Sequence, residues 1–313
     1  MSGPRKIIVD TDPGQDDAVA ILLALASSEL DVVGITAVAG NVPLPLTTKN
    51  ALLLVELANR TDVPVYAGCD RPMAKDLYTA EYVHGVTGID GAGLGEPSGS
   101  AAATHAVDFI VDTVMASEPG TITLCPLGPL TNIGTALQRE PALADRLQAI
   151  VLMGGGFFEG GNTTPAAEFN IYVDPMAADI VFRSGVDITV MPLDVTHKAL
   201  IQDAWLTRLR AHGSAVSDVV AGMLEFYERW DVEKYGLEGG PLHDPTVIAY
   251  LLEPNLFSGR HCNVVIETES LLTEGMTVVD YWGVTDRPPN ALWVTEVDSA
   301  GFFELLHERL VQL

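Results

Sequence analysis

The chain has 313 residues, 48% of them hydrophobic, enough for one large or two ordinary domains around a well-filled core. Seventeen basic against forty-two acidic residues give a net charge of −25, a field that repels nucleic-acid phosphate and anionic lipid but says little about a small neutral ligand. Cys69, Cys125 and Cys262 are odd in number, far apart and in no CxxC pair, which fits reduced thiols packed as small apolar residues and excludes a disulfide framework or zinc site.

In chain order, the β-branched run "KIIVD" predicts a strand, and "DDAVAILLALASS" directly after it predicts a helix that is apolar around most of its circumference. The apolar run Ala18 to Ala26 is nine residues long and flanked by acids and serines. It is too short for a bilayer and does not read as a signal sequence behind "MSGPRK", so a cytoplasmic location and no membrane partner are expected. Further strand-like runs at "DVVGITAVAG", "TITLCPLG", "LQAIVLMGGG" and "DITVMPLDV" alternate with helical stretches around 16–27, 47–59, 102–117, 129–138, 175–184 and 203–212. Val216 to Trp230 reads as another helix, as does the second half of "VEKYGLEGGPLHDPTVIAYLL". Strands near 260–267, 275–281 and 291–297, with a last helix at 301–311, suggest a more antiparallel finish. With no repeat or long linker, the pattern predicts one α/β domain over residues 1–313: a Rossmann-like, open, mostly parallel sheet with helices on both faces and extra C-terminal strands and helices.

Four aspartates, Asp10, Asp12, Asp16 and Asp17, fall within eight positions where the first strand hands over to the first helix. Pro13 and Gly14 make the turn, and one carboxylate can cap the helix and meet its positive end. Capping does not need four. Carboxylates this close repel and are pushed toward protonation unless a cation or a set of donors sits among them. The cluster also lies at the carboxyl end of a leading parallel strand, where open α/β sheets bind ligands. Other strand ends supply Gly40 and Asn41, Leu127 and Gly128, Gly154 to Gly156, and Asp194, so several loops can share one crevice. Three more stretches are unusually polar: "HGVTGIDG" at 84–91, "GGNTTPAAEFNIYVDP" at 160–175 and "PLHDP" at 241–245. The second gathers Asn162, Glu168 and Asn170, donors and acceptors suited to vicinal hydroxyls, and the third sets an imidazole beside a carboxylate.

Taken together, "DTDPGQDDAVAILLA", "HGVTGIDG", "PLGPLTNI", "NTTPAAEFNIYVDPMAA", "PLDVTHKAL" and "PLHDP" resemble the inosine–uridine preferring nucleoside hydrolase family, in the family's order from residue 7 to about 250. The last sixty residues match less distinctively. The resemblance implies calcium-dependent hydrolysis of the N-glycosidic bond of ribonucleosides of the inosine, uridine or cytidine type to free base and ribose. It implies one Ca²⁺ held by Asp12, Asp17, the Leu127 carbonyl and Asp244, with Asp10 supporting them. An all-oxygen set of this kind suits a hard cation, and its loose geometry suits Ca²⁺ over Mg²⁺. Asp16, Asn41, Asn162, Glu168 and Asn170 are implied to bind ribose, with the Met153 backbone beneath the sugar. Asp12 is implied to take a proton from the attacking water, and His243 to protonate the departing base with His84 lining the same end. Tyr227 and Tyr235, with Trp230, precede "PLHDP" at helix-like spacing and are candidates to stack on the base or to be core and rim aromatics. A homotetramer or homodimer is implied as well.

His105, His197, His212, His261 and His307 have no comparable setting, and "LDVTHKAL" reads as structural. A DxD after a first strand also occurs in aspartate-nucleophile phosphatases, but these need a later lysine and a GDxxxD-like acidic motif, and the few lysines after the first strand sit in no such context. A nucleoside phosphorylase wants arginines around a phosphate, which the candidate loops lack. A non-catalytic nucleoside or ribose sensor on the same fold is a third reading, disfavoured because every catalytic-type position is filled.

Overall fold

Period-2 alternation in the first strand builds the molecule outward from its centre. In β1 (Arg5–Thr11), Ile7 and Val9 enter one hydrophobic cluster and Ile8 the cluster on the opposite face of the sheet. A strand buried on both faces is the signature of a parallel sheet covered by helices on each side. The computed structural model describes residues 3–235 and 239–313, with the side chains of 228–238 outside that description. The remaining strands are β2 (Leu30–Ala37), β3 (Val65–Ala67), β4 (Ile122–Pro126), β5 (Ala149–Met153), β6 (Ile188–Met191), β7 (Phe257–Ile266), β8 (Thr277–Asp280) and β9 (Ala291–Val297). The helices are α1 (Gln15–Ala26), α2 (Leu44–Leu57), α3 (Glu81–His84), α4 (Ala106–Ala116), α5 (Thr131–Arg139), α6 (Phe169–Val173), α7 (Pro175–Phe182), α8 (Leu193–Thr196), α9 (Asp203–Arg210), α10 (Ala215–Tyr235), α11 (Pro245–Leu252) and α12 (Ser299–Leu310).

The nine strands lie in the order β3-β2-β1-β4-β5-β6-β9-β7-β8. Every pairing from β3 through β6 to β9 is parallel, and β7 then runs antiparallel to both β9 and β8. The expected α/β architecture is present, with the antiparallel finish reduced to the reversed strand β7 between β9 and β8, because β9 returns parallel to β6. Helices α1, α2, α9, α10, α11 and α12 pack with Ile7 and Val9, while α4, α5 and α7 pack with Ile8. Helix α1 is buried along its length from Gln15 to Leu25, which accounts for apolar residues on all its sides. All three cysteines are free thiols, Cys125 and Cys262 buried and Cys69 half-buried. No helix among the described residues is long and apolar enough to cross a membrane.

The sheet order places the site. From β1 the chain winds outward through β2 and β3, then returns to β4 on the other side and winds the opposite way. A crevice opens at such a reversal, beyond the carboxyl ends of the two central strands. Asp10 lies at the end of β1, Asp12 to Asp17 follow it and Leu127 follows β4, so these groups arrive together at this point.

Candidate active site

The backbone locks the two central loops together: the Leu127 amide donates to the Asp10 carbonyl at 2.7 Å. The Asp10 carboxylate is fully buried and points to the α5 side, accepting from Asn132 Nδ2 at 2.8 Å and from the Thr36 hydroxyl through the same oxygen. Its other oxygen has no hydrogen-bond partner among the described residues. Burial pushes the Asp10 carboxyl up to about 7, against the pull of those two donors.

Asp12 lies beneath the crevice, gripped between two glycines. A Cβ at Gly40 would stand 2.0 Å from one of its carboxylate oxygens, and a Cβ at Gly128 would stand 2.1 Å from the other. Neither position tolerates a side chain while Asp12 stays where it is. The Asn41 amide donates to Asp12 at 2.7 Å, and Asn41 Nδ2 reaches the Asp12 carbonyl at 3.1 Å and Asp17 at 3.2 Å. Asp17 also accepts from the Gly14 amide at 2.9 Å and the Thr11 hydroxyl at 2.5 Å. It therefore closes the first turn of α1 while facing the crevice.

Carboxylate oxygens of Asp16, Asp17 and Asp244 lie within 4.8 Å of one another, all three residues buried. Asp244 is carried there by the start of α11, where Pro245 opens the helix. Burial, then the charges of Asp16, Asp17 and Asp12, hold the Asp244 carboxyl well above its usual range. Burial and the charges of Asp17 and Asp16 do the same to Asp12, and burial raises Asp17 against its hydrogen bonds. Among the described residues no lysine or arginine lines the cleft to neutralise them. Buried carboxylates in mutual repulsion, with a backbone carbonyl alongside and no lysine or arginine beside them among the described residues, form an all-oxygen donor set that fits a hard divalent cation. The Leu127 carbonyl already accepts from Asn170 Nδ2 at 2.6 Å, and its second lone pair remains for another partner.

Above this floor the cleft opens toward solvent. Asn41, His84, Met153, Asn162, Glu168, Asn170, Tyr227 and His243 all line it with Asp16, Asp17, Leu127 and Asp244, while the side chains of Trp230 and Tyr235 lie outside the description. Glu168 caps α6, accepting from the amides of Asn170 at 2.8 Å, Gly155 at 2.9 Å and Ile171 at 3.2 Å. That cap fixes Asn170, whose amide also reaches the Met153 carbonyl at 3.3 Å. Asn162 accepts from the Phe169 amide at 3.0 Å, so one short helix organises this wall.

Burial raises Glu168 from 4.5 to about 7, outweighing its three amide donors. A carboxyl with a raised folded-state pKa adds stability below its unfolded value and loses that contribution as pH rises through the folded one. The window here runs from about 4.5 to about 7, worth on the order of 3 kcal/mol for a shift of that size. Glu168→Gln, compared with the wild type by urea unfolding in chelator, should be most destabilising near pH 4.5, with the gap closing toward pH 7.5. Parallel stability profiles would remove Glu168 from this balance.

At the opposite end stand three imidazoles. His84 Nδ1 pairs with Gln15 Oε1 at 2.7 Å, Gln15 Nε2 donates to the His84 carbonyl at 3.0 Å, and the His84 ring lies 5.7 Å from Tyr227 at a 30° interplanar angle. Burial pushes His84 down to about 3. The half-buried His243 bonds through Nδ1 to the Thr196 hydroxyl at 2.7 Å, and burial together with His197 and His84 lowers its pKa well below the ordinary value. His197 lines the cleft too, its ring 5.8 Å from that of His243. The segment "LDVTHKAL", expected from sequence to be structural, thus brings His197 to the cleft, because "DVTH" follows β6 at the carboxyl edge of the sheet. Gln15 and Thr196, which set the rings of His84 and His243, carried no sequence signal of their own.

A doubly wound α/β sheet with a cleft at its reversal point, floored by carboxylates and walled by amides and imidazoles, defines a small-molecule enzyme of the α/β class. The sequence of the inosine-uridine preferring nucleoside hydrolase family matches this chain over residues 7–304. The chain is 51% identical over 308 residues to an uncharacterized protein of Schizosaccharomyces pombe, covering 98% of this chain and 99% of that one. It is 48% identical over 305 residues to the pyrimidine-specific ribonucleoside hydrolase RihA of Escherichia coli, covering 97% of each. Among solved structures, a plant nucleoside hydrolase superposes with a TM-score of 0.93 at 35% identity, covering 99% of this chain and 100% of its own. A purine-preferring ribonucleoside hydrolase from Gardnerella vaginalis gives a TM-score of 0.91 at 33% identity, covering 98% of both. The chain belongs to the inosine-uridine preferring nucleoside hydrolase family.

Proposed function

We propose that the chain hydrolyses the N-glycosidic bond of ribonucleosides, pyrimidine ribonucleosides foremost, with a bound Ca²⁺. The observation that carries this reading is the convergence of Asp16, Asp17 and Asp244 at the floor of a cleft whose wall presents Asn162, Glu168 and Asn170. The 48% identity to a pyrimidine-specific relative supports the choice of base. Asp12, Asp17, Asp244 and the Leu127 carbonyl would hold the cation, with Asp10 anchoring the strand end behind them. When bound, such a cation supplies Lewis acidity that eases deprotonation of water near neutral pH.

The chain's own groups do the rest. Asp12, its carboxyl raised by burial, takes a proton from the attacking water. Asp16, Asn41, Asn162, Glu168 and Asn170 hold the ribose hydroxyls, and the Met153 backbone lies under the ring. Breaking the bond builds positive charge on the sugar and negative charge on the base. Carboxylates around the sugar favour the first, and a proton from His243 relieves the second, with His84 and Tyr227 enclosing the base.

A site that hydrogen-bonds the 2′-hydroxyl leaves its polar groups unpaired when that hydroxyl is missing. The kcat/KM for 2′-deoxyuridine should therefore fall at least a hundredfold below that for uridine. Equal values would undo the ribose roles of Asp16 and Asn170.

A further inference from the structure

Beside the three-imidazole end, a turn and a one-turn helix are fastened to each other in a way that the proposed chemistry does not require. The buried Asp194 carboxylate, in α8, accepts from the backbone amides of Phe157 at 3.2 Å, Phe158 at 2.8 Å and Glu159 at 2.9 Å, and from Trp293 Nε1 at 2.7 Å. Four donors on one carboxylate fix the turn that follows β5 relative to α8. Two consequences meet at the rim of the cleft. His197 caps the C-terminus of α8, and the exposed Glu159 is brought to its Nδ1 at 3.1 Å. Asp194 thus acts as a positioning residue for this pair.

A carboxylate accepts and does not donate, so in the neutral ring the pairing places the proton on Nδ1 and leaves Nε2, on the far side of the ring, with a lone pair. His197 lines the cleft in the neighbourhood of His243, the residue assigned to the leaving base. We propose that His197, oriented by Glu159, is a base-recognition residue whose Nε2 accepts a hydrogen bond from an exocyclic amino group, so that the cleft favours an amino-bearing pyrimidine over its keto counterpart. This rests on the ribonucleoside hydrolase reading. Cytosine presents an amine where uracil presents a carbonyl oxygen, and an acceptor at Nε2 attracts the first and repels the second.

The test is the ratio of kcat/KM for cytidine to that for uridine, both measured by ribose release on the same preparation, so that a partly unfolded variant lowers both alike. His197→Ala should lower the ratio about fivefold, the size of one neutral hydrogen bond. Glu159→Gln can donate to Nδ1 and let the ring proton move to Nε2, which turns the acceptor into a donor. It should shift the ratio toward uridine at least as far. A ratio that stays fixed or rises in both variants overturns the proposal while leaving the hydrolase reading intact. A wild type that releases ribose from neither nucleoside overturns both.

Discussion

Asp12→Asn should lower kcat by roughly two to four orders of magnitude, the range expected when a positioned base is lost. The substitution is nearly isosteric, so the side chain still fits between Gly40 and Gly128, where a Cβ on either glycine would collide with it. An amide oxygen can still accept from the Asn41 backbone, as the carboxylate does at 2.7 Å. What disappears is the ability to take a proton. Asp17→Ala should abolish turnover by a different route, since it removes an oxygen from the floor of the cleft together with the partner of Thr11 and Gly14. Prolonged chelation should also abolish turnover in the wild type, and added Ca²⁺ should restore the chelated wild type but not the Asp17 variant. Steady-state kinetics with thermal melting separates these losses from unfolding. An unchanged kcat in Asp12→Asn removes Asp12 from the base role, and full activity in a demonstrably metal-free preparation removes the calcium assignment.

His243→Ala should slow uridine or inosine by roughly a hundredfold or more, the usual span for loss of a general acid, while barely slowing p-nitrophenyl riboside. The contrast arises because p-nitrophenolate departs as a stable anion and needs no proton. The structure makes this a demanding test, because burial and the neighbouring imidazoles His197 and His84 favour a neutral His243. The proton it delivers must therefore be acquired in the occupied site, where the developing negative charge on the base draws it in. Its ring is held in place by Thr196, and its neighbour Asp244 belongs to the carboxylate floor. Equal losses on both substrates would show that His243 positions the sugar or supports Asp244 and is not the acid.

The long elements were legible because they repeat their own period. Helix α1 is apolar on all sides and sits buried, and the strands β1, β2, β4, β5 and β6 announce themselves as β-branched runs between glycines and acids. The three-residue β3 is too short to show a pattern. The same limit hid α3, α6 and α8, of four, five and four residues. One helical turn contains no repeat to detect, and it forms only because tertiary contacts hold it. Those short helices deliver His84 and Asn170 to the cleft and set Thr196 behind the His243 ring. Their polar residues were visible as composition, in "HGVTGIDG" and "NTTPAAEFN", although their geometry was not.

The cluster at Asp10 to Asp17 was readable as a cation or donor site from charge density alone, but the division of labour within it was not. The grouping that the structure brings within 4.8 Å is Asp16, Asp17 and Asp244, with Asp12 lower down between its glycines. Spacing along the chain does not determine which of two adjacent carboxylates faces inward when the turn between strand and helix is irregular. The place of His197 is hidden in the sequence for a related reason. Its partners, Glu159 and His243, come from loops 38 and 46 positions away in sequence, and only the parallel order of β5 and β6 sets the Glu159 loop beside it.

The most direct test of the central claim is the product formed from uridine with phosphate absent and with phosphate present, each with and without prolonged chelation. Free ribose and uracil are expected at the same rate in both buffers, abolished by chelation and restored by Ca²⁺. Ribose 1-phosphate as the product, or no turnover without phosphate, would contradict it.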